Sequence, residues 1–444
     1  MSPPPALPPP LPSERRRSLF IQLSLVALAA IALGIFATVT TADTRRTQRL
    51  TRQLMALSDQ GKFREGLALA EKELPHTKPN AALYFAMENL HFGVDDLAQT
   101  KLFGGKTLEL NPDNEMAARM IMIVCRKYED YAHGIDVGRA WIAANTHGTS
   151  IYKDLALICD DAGRDTEAFT FAAEGFRRAP SHARIASIYF YYAFEANGVE
   201  PTLREVESWT ARYTPEAFFW AQVGKGLSDA GSWEEALPRL ELALKMGSDD
   251  ESVLTEILDC YRSLKATDRA TAFVEKLQKT REPGSAIWRN LGAIYYDAGE
   301  FEKALTTSQK ARDLDPKNAI TTANILFTLY ELKRSQEAFD LGQQWLATSG
   351  HVPTATLQRS IGHVAFALNR WPEAEHHYRA SLSLAPDNVN SARDLISTLV
   401  EAKRIGEAVS FGMTWREAHP KISDTSFDLS LAKAREKAAE ANTP

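Results

Sequence analysis

From Thr47 to Ile422 this 444-residue chain repeats itself with a period of 34 residues. Repeats begin at 47, 81, 115, 149, 183, 217, 251, 285, 319, 355 and 389, with two extra residues in the one at 319. The clearest runs from Ser285 to Asn318 and reads Trp288-x2-Leu291-Gly292-x2-Tyr295, then Gly299, Phe301, Ala304, Ala311 and Pro316. Equivalent positions hold Trp220, Gly224, Gly231, Trp233, Ala236 and Ala243 in the repeat at 217. They hold Tyr152, Gly163, Ala168 and Pro180 at 149, and Gly362, Trp371, Ala374 and Pro386 at 355. Self-similarity at a period of this size forces a stack of small units and excludes one shared central core.

Within each repeat, apolar residues at helical spacing in both halves predict two antiparallel amphipathic helices, A and B. Gly61, Gly163, Gly231 and Gly299 punctuate the turn between them. Pro79, Pro112, Pro180, Pro215, Pro283, Pro316, Pro386 and Pro420 stop helix B. One helix pair cannot bury its own apolar faces, so neighbours must cover each other. The Trp-x2-Leu-Gly-x2-Tyr pattern with its later alanines and proline resembles the tetratricopeptide (TPR) motif. The resemblance implies an all-α TPR solenoid of about eleven helix-turn-helix units over 47–422. Residues 423–444, with Phe427, Leu429, Leu431 and many charges, read as a capping helix and tail.

A second period, of 68 residues, runs from 81. Position 8 is small in alternate repeats (Ala156, Gly224, Gly292, Gly362) and large in the others (Met122, Phe190, Leu258, Leu326, Ile396). Position 27 follows the same beat, with Trp141, Trp209, Leu277, Trp345 and Trp415 where the motif expects a small residue. Gly138, Gly342 and Gly412 lie three residues before three of these tryptophans, on the same helical face. This predicts that each glycine vacates volume for its indole. Trp141, Trp209, Trp220, Trp288, Trp345 and Trp415, with Gly224, Gly292 and Gly362, are therefore expected as structural repeat residues and not as a ligand cage.

Ahead of the repeats, residues 1–17 hold seven prolines and Arg15-Arg16-Arg17, a proline-rich basic tail. Residues 18–42 carry no charge and would span about 37 Å as a helix, enough for a hydrocarbon core of about 30 Å. They are expected to form a transmembrane helix, or an uncleaved signal anchor, in contact with the lipid bilayer. Cleavage after Ala42, giving a soluble exported protein, is the alternative. Arginines flank both ends, so the positive-inside rule is nearly balanced; a short basic leader places the repeats outside the cytoplasm. A cytosol-facing membrane adaptor remains the third arrangement. In this layout the chain resembles single-pass, membrane-anchored bacterial envelope TPR proteins that serve as scaffolds for secretion, pilus or polysaccharide assembly.

No reaction is indicated. The sequence holds no phosphate-binding glycine loop, nucleophile elbow or paired-histidine zinc motif. His363, His376 and His377 share one repeat, but adjacent histidines point about 100° apart on a helix and do not form one metal site. Cys125 and Cys159 occupy an apolar position, so neither cofactor nor metal is expected. With 51 basic against 57 acidic residues, the net charge of −6 gives no field for nucleic acid.

The remaining candidate is a groove. In the TPR family, positions 2, 5, 9 and 12 of helix A face the concave surface. In this sequence they include Phe85, Asn89 and Phe92; Arg119, Arg126 and Lys153; and Tyr191 and Phe194. Further along they include Arg289 and Tyr296; Phe327 and Tyr330; His363 and Phe366; and Arg393. Aromatic and cationic side chains are the types that anchor binding. They imply a groove for a protein or peptide segment with acidic and apolar features. Leu157 follows Lys153 where a carboxylate-gripping TPR clamp would place asparagine.

Overall fold

The computed structural model describes residues 43–248 and 250–441, all of them helix or short connection, with no strand among them. The chain divides into two compact bodies, one ending at Ala196 and one starting at Asn197. In the first, helix 43–59 pairs with Phe63–Glu73, Ala81–Gly93 with Leu97–Leu110, Glu115–Lys127 with Tyr131–Ala144, and Ser150–Asp161 with Asp165–Arg178; Ala183–Asn197 follows. The second opens with Val199–Thr210. Four hairpins follow, with A helices Ala217–Asp229, Glu251–Ser263, Ser285–Asp297 and Ala319–Glu331. Two more begin at Ala355–Ala367 and Val389–Glu401, and Thr425–Ala441 closes the stack against the last hairpin. Each body is thus a helical-repeat solenoid.

The start of helix A is written in the last residue of the preceding repeat. Asn80, Asn114, Asn318 and Asn388 each accept a hydrogen bond from the backbone N–H three residues on, at 2.9–3.1 Å. The turn after helix A is written less visibly. Position 15 is left-handed at Gly61, Gly163, Gly231 and Gly299, with φ of 67–78°. Asp95, Glu129, Lys265, Lys333, Asn369 and Lys403 hold the same conformation at φ 54–66°. Tertiary packing imposes that turn on side chains that disfavour it.

In seven of the described hairpins position 8 of helix A meets position 24 of helix B, and glycine on one side makes room for the other. A Cβ added to Gly224 would lie 2.6 Å from Leu240, and one on Gly362 would lie 3.0 Å from Tyr378. The alternate repeats reverse the exchange. Met122, Leu326 and Ile396 press on Gly138, Gly342 and Gly412, together with Leu155, Ile361 and Leu431 of the next A-type helix. The expectation that those glycines make room for indoles is therefore wrong. Trp345 and Trp415 instead lie over the turn between repeats, their Nε1 donating to the carbonyls of Pro316 and Pro386 at 3.0 Å. His351 and His419 pack on the same two rings at 4.4 Å. Trp141 and Trp209 are equally buried, Trp209 stacked on Phe219 at 4.6 Å.

The transmembrane expectation is corrected. No helix among the described residues is long and apolar enough to cross a membrane. Most repeat helices carry a solvated stripe beside a buried one, and residues 18–42 lie outside the described residues. The single-pass membrane location and the lipid contact predicted from that segment are not supported.

Glu88 breaks the volume pattern in an informative way. It occupies position 8 opposite Gly104, fully buried, and neither carboxyl oxygen has a hydrogen-bond partner. Burial pushes its carboxyl up to about 9.

Two predictions follow from this packing. Lys403→Gly relieves a left-handed lysine and should raise unfolding free energy by about 1 kcal/mol. The same replacement at exposed Met413, inside helix Ile405–Ala418, should lower it by about 1 kcal/mol; urea melts of both variants check the opposite signs. Folded protein keeps Glu88 protonated to about pH 9, whereas the unfolded chain ionises near the ordinary 4.5. Glu88 therefore lowers stability as pH rises through that window, by up to ~1.4 kcal/mol per pH unit. Glu88→Gln should remove this slope, measured as a stability gain over wild type at pH 8 that disappears near pH 4.

Candidate protein-binding face

Within each body the A helices present positions 2, 5, 9 and 12 side by side, and clefts open along that face. In the first body, one of about 360 Å³ lies between Glu115–Lys127 and Ser150–Asp161, lined by Ile123 and Leu157 with Arg126 and Asp161. In the second body, one of about 420 Å³ separates Ala217–Asp229 from Glu251–Ser263. A smaller one of about 130 Å³ is lined by Arg262, Tyr296, Asn324 and Phe327.

Most of the predicted aromatic positions hold half-buried rings. Phe85 and Phe92 flank Asn89, whose amide donates to the Phe85 carbonyl at 2.7 Å. Tyr191 stands edge-on to Tyr192 at 4.7 Å, whereas Phe194 is fully buried and offers no surface. In the second body, Phe327 and Tyr330 bracket His363 at 5.7 and 4.7 Å. Burial holds that imidazole below its ordinary range, so it presents a neutral ring. Tyr296 meets Phe301 at 5.5 Å and bonds through its hydroxyl to Glu331; Phe366 meets Trp371 at 5.0 Å. Among the other repeat residues, Trp220 is half-buried edge-on to Phe219, and Trp288 is buried beneath the Lys310 ammonium.

The predicted cations are differently disposed. Arg119 Nε donates to Asp154 at 2.5 Å, and Lys153 bonds the other oxygen of the same carboxylate. Arg126 pairs with Asp161 through two nitrogens. Arg393 pairs with Asp394, which also receives Arg359 at 2.9 Å. Arg289 acts on Asp259, lowering a carboxyl that burial raises. Together with Arg262–Asp297, four of these pairs span 35 residues, joining one A helix to the next. A helical repeat of 34 brings residue i and residue i+35 together across the stack, so the pairs brace neighbours.

These acids were not singled out in the sequence, although arginine followed 35 residues later by aspartate was there to be read. The groove is consequently not a free basic strip. His376 and His377 do not join His363: His377 is buried between Gln343 and Gln358 at 2.9 and 2.8 Å, and its imidazole falls to about 4. No group of three His, Cys, Asp or Glu among the described residues is placed to hold a metal. Burial pushes the thiols of Cys125, Cys159 and Cys260 up to about 11, so they are packing groups and not nucleophiles.

Removing Asp154 leaves Arg119 and Lys153 facing each other over a nearly buried site. Asp154→Asn should therefore cost about 2–3 kcal/mol in a urea melt. Arg177→Gln, on the exposed end of a helix, should cost well under 1 kcal/mol in the same assay.

A family model described as tetratricopeptide repeat matches residues 360–421. The DnaJ homolog subfamily C member 7 homolog of Schizosaccharomyces pombe (strain 972 / ATCC 24843) is 24% identical over 225 residues, which are 49% of this chain and 40% of that protein. The chain therefore spans less than half the length of this curated relative. Among solved structures, the crystal structure of the APC/C hetero-tetramer Cut9–Hcn1 is similar with a TM-score of 0.41 and 13% identity, over 88% of this chain and 84% of that one. The matched segment holds two helix pairs, and pairs of the same form precede it in the second body and recur in the first. Residues 360–421 thus match the tetratricopeptide-repeat model, and the helix pairs that precede them share the form of the matched pairs.

Proposed function

We propose that this chain is a protein-interaction scaffold that binds an extended or helical segment of another protein along its A-helix face. The observation that carries this reading is the strip itself: half-exposed aromatic and aliphatic side chains beside clefts, between rungs of satisfied charge. Ile123 is 38% exposed at the first-body cleft, and Phe327 lies at the cleft beside Tyr296. Apolar anchors set in a polar rim are the arrangement of binding hot spots. The reading calls on residues 43–441 alone and requires no cofactor and no reaction. A solenoid suits it, because within each body side chains from successive repeats line up on one surface.

Because the cations at Arg119, Arg126 and Lys153 brace the stack, reversing their charge would test folding before binding. Apolar truncation is the cleaner test. Peptides selected from a displayed random library on the full chain should lose about tenfold or more in affinity on Ile123→Ala or Phe327→Ala, with melting temperature little changed. Selected peptides that ignore both truncations would place binding elsewhere.

A further inference from the structure

Three A helices carry an acid at position 6: Asp154, Glu256 and Asp394. Two of the three are held in the same way. Asp154 receives Arg119 from position 5 of the preceding repeat and Lys153 from position 5 of its own. Asp394 receives Arg359 and Arg393 from the same two positions, both at 2.9 Å. For Glu256 those positions are Ala221 and Thr255, which carry no charge.

Where two long cationic side chains stand in the other repeats, the second body has the cleft of about 420 Å³. Ala221, Thr255 and Glu256 line it, with Phe218, Gln222 and Lys225 around them. Ser228 bonds the Glu256 carboxyl and the Lys225 charge acts on it. Burial outweighs both and holds that carboxyl above its ordinary range, whereas a cation in contact would lower it.

We infer that this cleft seats an arginine or lysine side chain from a partner's peptide segment, supplying in trans the cation that Arg119 and Arg359 supply within the chain. Three features select this occupant. The charge required is positive, the space is that of long side chains and not of a bare ion, and the cleft lies on the strip assigned to peptide binding. The inference rests on that assignment and adds the chemistry of one seat. It also reverses the sequence-based expectation of an acidic ligand for this part of the strip.

The test uses the full chain and peptides selected on it from a displayed random library. Each is synthesised with its cations intact or replaced by citrulline, a neutral analogue, and titrated by fluorescence anisotropy. Selected peptides should be enriched in arginine and lysine. Citrulline at one position should weaken binding about tenfold or more, the scale of a lost charge-assisted hydrogen bond. Glu256→Gln should weaken the cationic peptide equally and leave the citrulline peptide unaffected. Ala221→Arg, which rebuilds the rung internally, should block the seat to the same extent without lowering the melting temperature. Absence of cation enrichment, or equal binding by wild type, Glu256→Gln and Ala221→Arg, overturns the proposal. If such peptides still respond to Ile123→Ala or Phe327→Ala, only the cation seat falls. If they respond to none of the four substitutions, or if no peptide is selected, the A-helix reading falls with it.

Discussion

Seven hairpins among the described residues depend on a close meeting of position 8 on helix A with position 24 on helix B, one of the two being glycine. Two helices can approach closely only if one side of that contact gives way. The chain satisfies this with a glycine on A in some repeats and a glycine on B in others, as at Gly224 against Leu240 and Gly342 against Leu326. Summed volume is conserved while its owner alternates, which well-packed interiors tolerate. The 68-residue beat is the trace of that alternation. Glu88 against Gly104 shows that the rule is steric first: a carboxyl is accepted where its volume fits, at an electrostatic cost.

Much of this was legible in the sequence, because helical periodicity and a fixed repeat length are local signals. The glycine turns and the burial of most of the tryptophans have local causes. What escaped was non-local. The i, i+3 relation of Gly342 and Trp345 suggested that they share a pocket. Side chains three apart on one helix need not face the same neighbour, and Trp345 reaches back to Pro316 while Gly342 opens toward Leu326 and Ile361. Likewise, the left-handed turn at Lys333 and Lys403 has no signature in residue type, since it is imposed by the hairpin that surrounds it. The apolar run at 18–42 suggested a membrane span on length and hydropathy alone, and none of the described helices has that character.

The candidate face was half legible for a related reason. Residue type placed rings at positions 9 and 12, most of which are half-buried against neighbours such as Phe301 and Trp371, while Phe194 is fully buried. It misjudged the cations, because a charge is defined by its partner. Arg119, Arg126 and Arg393 are spent on acids in an adjacent helix or on the same one, and this removes them from the reckoning of ligand charge.

That ladder has a mechanical consequence as well as an electrostatic one. An Asp154 or Asp394 rung ties the A helices of consecutive repeats directly, on the side where a ligand would lie, and fixes their spacing there. Between Ala217–Asp229 and Glu251–Ser263 that pair of cations is missing, and the A-side spacing rests on the bonds of Ser228 to Glu256 and Cys260 and on apolar packing at Ala221 and Val253. Apolar contacts are non-directional and tolerate small sliding better than a paired arginine does. The repeat that most lacks internal charge compensation is thus also the one whose A helices are least constrained by it. A cationic side chain arriving from a partner would supply both the missing charge and the missing tie.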